Sequence, residues 1–115
     1  MGSANRQATR EDAFKLKTQD IHGDYTVKVG GVAGNFYKDR VVRIVNATAA
    51  MTVTVPDGVY KGQQLLISFV EGDDFAITIT TATGADYALT TPGDYASLEW
   101  VNDTSGWVAH CSQET

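Results

Sequence analysis

This sequence has little of several residue types that often announce a function. Its 115 residues include one cysteine, Cys111, which excludes a disulfide within the chain, and only two prolines and two histidines. No apolar run approaches the roughly 20 residues of a membrane-spanning helix, and no signal peptide opens the chain. We therefore expect no membrane association.

Positive charge is scarce in the second part of the chain. Residues 1–43 hold eight of the nine Lys and Arg residues and five acids, a balance of +3, whereas residues 44–115 hold only Lys61 and nine acids, a balance of −8. A nucleic-acid-binding face needs clustered cations on the folded part, so this distribution argues against such a partner. It is compatible with a basic leading segment that docks on an acidic protein surface.

Candidates for catalysis or metal binding are few. His22 stands in a predicted loop and His110 on the last predicted strand, and neither lies in a nucleophile-elbow pattern. Cys111 follows His110 directly, and neighbours on a strand point to opposite faces, so the two cannot easily chelate one ion. The acidic turn at 71–74 lacks the ordered ligands of a calcium loop. We expect no enzyme, no metal and no cofactor.

Period-2 alternation from residue 41 onward predicts a series of strands with turns between them. Met51, Val53 and Val55 alternate with threonines, and segments 65–70, 75–80 and 87–89 follow after turn signals. Strands at this spacing are typical of a small antiparallel β-sandwich or barrel-like domain, which makes the chain all-β. Residues 1–20 lack alternation and are expected to form an extended N-terminal arm, leaving 21–115 as the sandwich domain.

The C-terminal segment predicts a hairpin with a tryptophan on each strand. Ala96, Leu98 and Trp100 share one face, opposite Tyr95, Ser97 and Glu99. After a loop over 102–106, the faces of the returning strand are Trp107, Ala109 and Cys111 on one side and Val108 and His110 on the other. Two indoles on paired strands add large apolar burial. We interpret them as a strand-closing device of the core.

From residue 41 onward the chain also contains a series of short motifs. They are Val45-Asn46, Met51 to Val55, Gly62-Gln63-Gln64-Leu65-Leu66-Ile67, Ile77-Thr78-Ile79, Gly93-Asp94-Tyr95, Leu98-Glu99-Trp100 and Gly106-Trp107-Val108. This series resembles a β-module common among virion proteins of tailed bacteriophages, including capsid decoration (cement) proteins, head fibres, and tail-fibre or baseplate parts.

The resemblance implies a structural role in the virion. A short chain, one β-domain and a polar arm favour a capsid decoration protein that binds the outer surface of the shell and stabilises it, made in the host cytoplasm. The implied partners are the major capsid protein and two further copies in a homotrimer. Within the arm, four cations and one apolar anchor are the expected docking residues: Arg6, Arg10, Phe14, Lys15 and Lys17.

Two alternatives remain open on sequence grounds. The chain could be a tail-fibre or baseplate component, although it has none of the collagen-like, coiled-coil or β-helical repeats that such proteins usually add. It could also be a carbohydrate-binding β-module that uses Trp100, Trp107, Tyr95 or Tyr87 as an exposed platform. The carbohydrate hypothesis requires at least one tryptophan to lie flat on the surface.

Overall fold

Every regular element in the described chain is a β-strand. The computed structural model describes residues 16–30 and 38–112, and no helix in these ranges is long and apolar enough to cross a membrane. The described strands are β1 (Leu16–Ile21), β2 (Tyr25–Thr26), β3 (Lys38–Ile44), β4 (Met51–Val55), β5 (Gln64–Phe69), β6 (Ile77–Thr81), β7 (Tyr87–Leu89), β8 (Tyr95–Asn102) and β9 (Gly106–Cys111).

These strands form two sheets. Sheet A has the order β1-β3-β5-β8-β9, and sheet B has the order β2-β4-β6-β7. From β1 to β6 each strand lies in the sheet opposite to that of the strand before it, so the chain winds back and forth between the sheets. Two of the last three strands break this rule, because β7 joins β6 in sheet B and β9 joins β8 in sheet A.

The all-β prediction is confirmed, but the prediction of an antiparallel arrangement is wrong. The pairs β1–β3, β2–β4, β3–β5 and β4–β6 are parallel, and antiparallel pairing is confined to β5–β8, β6–β7 and β8–β9 among the described residues. Parallel neighbours need a long crossover, and here each crossover is a strand of the other sheet. Side-chain alternation reports the two faces of a strand but not its direction, so the sequence pattern could not reveal this.

The β3–β5 and β4–β6 crossovers are almost equal in length. Val41 pairs with Leu66, 25 residues later, and Met51 pairs with Ile77, 26 residues later. The bridge between Ala47 and Gly72 has the same 25-residue offset. The segment from β3 to β6 is thus two successive turns of one coil, with one strand of each turn in each sheet.

Both sheets supply apolar side chains to one hydrophobic core. In β4 the buried and exposed residues alternate strictly, and β8 follows the same pattern over its first six residues. Burying one such side chain completely stabilises a fold by about 1.5–3 kcal/mol. The largest side chains in the core that are under 2% exposed are Trp107, Phe69, Ile44, Leu65, Ile67, Ile77, Ile79, Leu89 and Leu98.

The predicted boundary between arm and domain falls inside a strand. Residues 16–20, which the lack of alternation assigned to the arm, form β1 together with Ile21 and pair in parallel with β3. Of the side chains in 18–21 only Ile21 is buried. An edge strand such as β1 can be held by backbone hydrogen bonds to one neighbour without burying alternate side chains. Its sequence therefore lacks the apolar alternation from which strands are predicted. Residues 1–15 lie outside the described part of the chain.

The predicted C-terminal hairpin is confirmed, with a tighter loop. Trp100 pairs with Trp107, and the strands are joined by residues 103–105 alone. The Asn102 side chain closes this loop, because its Oδ1 accepts hydrogen bonds from the backbone N–H groups of Thr104 (2.9 Å) and Ser105 (2.7 Å). Gly106 follows with φ of 72°, and a Cβ there would lie 2.0 Å from the Thr83 carbonyl oxygen, so only glycine fits.

Candidate interaction surfaces

The docking residues predicted from the sequence fall mostly outside the described structure. Arg6, Arg10, Phe14 and Lys15 lie in the segment before residue 16. Lys17 lies in β1, where its main chain pairs with that of Asp39 in β3. The role of this set therefore stays a prediction. What the structure does describe is the place where the segment enters the fold, at the edge of sheet A.

The outer face of sheet A presents cations beside that edge. Arg43 stands between Asp20 of β1 and Ser68 of β5 in the register. Its Nη1 lies 3.2 Å from the Asp20 Oδ1, and the two side chains are 41% and 50% exposed. Closer to the start of β3, Arg40 donates from Nη2 to the Gln64 Oε1 at 3.1 Å. These cations were not identified as site candidates from the sequence. A signal was present for Arg43, because it alternates with the apolar Val42 and Ile44 and is therefore expected to face outward.

The same face also exposes apolar and aromatic side chains. Tyr95 of β8 is 44% exposed and Val108 of β9 is 45% exposed. At the end of the sheet, the Lys38 ammonium lies 5.5 Å from the centre of the exposed Tyr60 ring, a cation–π contact. The outer face of sheet A therefore mixes positive charge, negative charge and apolar surface, as protein-binding surfaces commonly do.

The outer face of sheet B presents threonines on three of its four strands and the exposed Ala88 on β7. Thr26, Thr54 and Thr80 occupy equivalent positions on β2, β4 and β6, and Thr52 stands beside Thr78 in the next row. Four of these threonines are exposed and Thr80 is half-buried. The four strands of sheet B contain no charged residue. We call these five residues the threonine face.

A buried carboxylate links the two sheets at one end of the core. Asp39 of β3 is 2% exposed, and its Oδ2 accepts hydrogen bonds from the Tyr25 hydroxyl of β2 and from the Lys28 backbone N–H at 2.9 Å. Its Oδ1 has no hydrogen-bond partner among the described residues. Burial and the adjacent Asp39 carboxylate raise the pKa of Tyr25 well above its usual value, because both disfavour a charged phenolate.

Neither tryptophan is available as a binding platform. Trp100 is 2% exposed and Trp107 1% exposed, and their rings meet edge to face with centres 5.6 Å apart. The Trp107 Nε1–H donates to the Pro56 carbonyl oxygen at 2.8 Å. The prediction that these rings belong to the core is confirmed, and the alternative that they form an exposed sugar platform is wrong. Of the tyrosines named with them, Tyr95 is exposed and Tyr87 is half-buried.

The reactive side chains of the described residues stand apart from one another. His22 lies in a turn with its Nδ1 2.8 Å from the Val45 carbonyl oxygen, while His110 is exposed on β9. Cys111 is half-buried against the core, and this burial raises the pKa of its thiol. Within 16–30 and 38–112, no three His, Cys, Asp or Glu side chains come together in a way that could hold a metal ion.

No protein-family model matches the sequence, and a search of curated proteins finds no significant match. A function is therefore inferred from the surfaces described above and from the motifs that carry the resemblance.

Proposed function

We propose that this chain is a virion protein of a tailed bacteriophage, a capsid decoration (cement) protein with a β-sandwich domain that binds the outer surface of the shell as a homotrimer. The observation that carries the proposal is the continuity between the predicted docking segment and sheet A. The segment leads directly into β1, and β1 pairs with β3, which presents Arg40 and Arg43 on its outer face.

Several motif residues behind the phage resemblance have structural roles within the fold. Asn46 adopts a positive φ of 54° between β3 and β4. Gln63 is 3% exposed and joins two segments, because its Nε2 donates to the Val29 carbonyl and its Oε1 accepts from the Val59 N–H. The Asp94 carboxylate accepts from the N–H groups of Thr90 and Thr91. These residues build the fold, which leaves the outer faces to determine the partner.

The mechanism is stabilisation by mass action. A protein that binds the mature shell and not its precursor or dissociated subunits stabilises that shell by RT ln(1 + [L]/Kd) for each site, about 2.7 kcal/mol when the free concentration is 100 times Kd. Cations on the arm and on β3 supply attraction to an acidic shell surface, and Phe14, Tyr95 and Val108 supply apolar contact. No chemical step is needed for this activity.

The position of the protein in the particle tests the proposal directly. Purified particles of the phage that encodes the chain should carry an antibody label or extra density on the head, in many copies. A label on the tail would support the fibre or baseplate alternative instead. Absence of the chain from purified particles would overturn a virion role altogether.

Binding to isolated shells tests the docking surface. Shells stripped of the protein should take up the full chain, and a chain that begins at residue 16 should keep its fold and lose most of its occupancy. The deletion stops at 15 because residues 16–21 form β1. Arg40→Glu and Arg43→Glu in the full chain should weaken binding, and Lys28→Glu, at an exposed cation that follows β2 of sheet B, is the matched charge control. Undiminished uptake of the truncated chain would show that the segment is not the docking element.

A further inference from the structure

A β-bulge in β3 brings two cations to the same pocket. In the register of β3 with β1, Asp39 and Val41 are paired with consecutive residues, so Arg40 between them is an extra residue. The alternation of β3, continued back from the buried Val42, would turn Arg40 inward. The bulge shifts this alternation by one position, which buries Asp39 and leaves Lys38 and Arg40 half-buried at the pocket. Bulges commonly re-aim side chains beside functional sites.

The pocket lies where β3 and β5 begin. It has a volume of about 200 Å³, and Asp39, Tyr60 and residues 62–64 complete its lining. Pockets for drug-sized ligands have about 300–1,000 Å³, so this one suits a single side chain. Leu16, where β1 begins, pairs with Lys38. The segment that precedes residue 16 therefore joins the fold beside this pocket.

The cations of the pocket are held in place by their neighbours. The aliphatic part of Lys38 passes over Gly30, where a Cβ would lie 2.7 Å from the Lys38 Cγ, and its ammonium lies over the Tyr60 ring. The Arg40 Nη2 donates to the Gln64 Oε1 at 3.1 Å. Neither cation forms an ion pair within the described residues. Both positive charges are thus positioned and open to a partner.

The hydrogen-bonding groups open to the pocket are mainly donors. The Lys38 ammonium and the remaining N–H groups of Arg40 only donate, and the oxygen of the Gln64 amide already accepts from Arg40. Gln63 has both ends of its amide engaged within the fold. The Asp39 Oδ1 has no partner among the described residues, but this atom is buried. A surplus of donors suits a ligand that only accepts.

We propose that this pocket binds a carboxylate group of a partner protein, an Asp or Glu side chain held between Lys38 and Arg40. The N–H groups of arginine lie in a plane that matches the two oxygens of a carboxylate, and lysine adds a second positive charge. Two cations and the buried Asp39 carboxylate give the pocket a charge of +1, in a chain whose net charge is −5. The threonine face of sheet B carries no charge and cannot attract an acid in this way. The inference rests on the proposed function for the identity of the partner, an acidic surface of the shell.

A peptide with one glutamate tests the pocket without the shell. The tripeptide Ala-Glu-Ala with both ends blocked is titrated into the isotope-labelled full chain and followed by NMR, and blocked Ala-Gln-Ala is the uncharged control. The backbone amide signals of residues 38–40 and 60–64 should shift with the glutamate peptide and stay in place with the glutamine peptide. Added salt should weaken the binding, because the attraction is between charges.

Substitutions of the two cations assign the binding to this pocket. Lys38→Gln and Arg40→Gln should each weaken binding of the glutamate peptide about tenfold or more, because each loses a charge-assisted hydrogen bond. Lys28→Gln is the matched control, since it removes the same charge from an exposed residue outside the pocket and should bind like the wild type. Fluorescence of the buried Trp100 and Trp107 reports that each variant is folded.

Other results would overturn the proposal. No response to the glutamate peptide, equal responses to both peptides, or equal binding by the wild type and the two pocket variants would show that these cations do not recognise a carboxylate. Inorganic phosphate that binds here more than about tenfold tighter than the peptide would identify a phosphate site instead. If only a chain that begins at residue 16 binds the peptide, the chain's own Glu11 or Asp12 fills the pocket, and no partner does.

The peptide titration and the position of the protein in the particle are separate tests. A chain that labels heads but ignores the glutamate peptide would refute the carboxylate pocket and leave the decoration role in place. A chain that binds the peptide through Lys38 and Arg40 but is absent from particles would keep the pocket and refute the shell as its partner.

Discussion

Sheets A and B share a core but differ completely in the charge of their strands. The strands of sheet A carry seven charged residues, Lys17, Asp20, Lys38, Asp39, Arg40, Arg43 and Glu99, and those of sheet B carry none. Their inner faces are alike apart from the buried Asp39 of β3, since both are built mainly from buried aliphatic and aromatic side chains. Packing therefore dictates the inner faces and leaves the outer positions of the two sheets free to differ.

Disruption of the core that the two sheets share should lower the free energy of unfolding more than any other change considered. Trp107 lies in β9 of sheet A, is 1% exposed, and donates to Pro56 just after β4 of sheet B. Trp107→Ala removes this ring and leaves a cavity, so we expect the free energy of unfolding to fall by about 3–5 kcal/mol. Urea denaturation, followed by circular dichroism, measures the change.

The matched variant Trp107→Phe keeps an aromatic ring but removes the indole N–H and part of the buried ring volume. It should cost clearly less than the alanine variant. If Trp107→Ala lies within about 1 kcal/mol of the wild type, well below the cost of a large-to-small core substitution, the ring does not join the two sheets.

The packing between the turn after β4 and the hairpin offers a second way to strain the core. A Cβ on Gly58 would lie 2.3 Å from Cγ and 2.6 Å from Cβ of Trp100. Gly58→Ala therefore overpacks a buried site, and we expect a loss of about 1–3 kcal/mol in thermal or urea unfolding. Gly23→Ala is the control, because a Cβ there meets nothing within 4 Å. Equal effects of the two substitutions would contradict the tight packing of Gly58 on Trp100.

The polar link between the sheets should give an effect of similar size with a distinct pH dependence. Tyr25→Phe removes a hydrogen bond to the buried Asp39 carboxylate and should cost about 1–3 kcal/mol near neutral pH. Because the pKa of Tyr25 is raised in the folded state, its contribution to stability is complete below the unfolded pKa of 10 and is lost as the pH rises above it. The difference in unfolding free energy between wild type and variant should therefore shrink above pH 10.

Tyr95→Phe is the control for this measurement, since Tyr95 is exposed and its hydroxyl makes no described hydrogen bond. A difference between wild type and Tyr25→Phe that stays constant from pH 8 to pH 11 would contradict the assigned link.

Local patterns in the sequence were sufficient to predict most strands and their faces. The alternation Met51-Thr52-Val53-Thr54-Val55 predicts a strand with threonines outside, and the structure has that strand with that burial. The tryptophans of the hairpin were predictable for the same reason. Each of these predictions concerns neighbours along the chain, where side-chain direction follows directly from sequence position.

Features that depend on distant residues could not be predicted in this way. Parallel pairing of β3 with β5 requires knowing that β4 lies in the other sheet, and alternation carries no such information. A readable signal did exist: Thr52-Val53-Thr54 recurs as Thr78-Ile79-Thr80 at the 26-residue offset of the β4–β6 register. The cations of β3 are site candidates because β1, which continues from the predicted docking segment, pairs with β3. The sequence does not reveal this pairing.

The smallest expected effect concerns the outer face of sheet A. Arg43→Gln breaks the ion pair with Asp20, whose partners are 3.2 Å apart but largely solvated. Exposed pairs contribute about 0–1 kcal/mol, so the unfolding free energy should fall by no more than this. The loss should nearly vanish in about 1 M salt, where the screening length is about 3 Å. Asp20→Asn should cost the same amount, and the double variant should cost little more than either single one. A loss well above 1 kcal/mol would show that Arg43 stabilises the fold itself, and it would then be a poor candidate for a surface kept free to bind a partner.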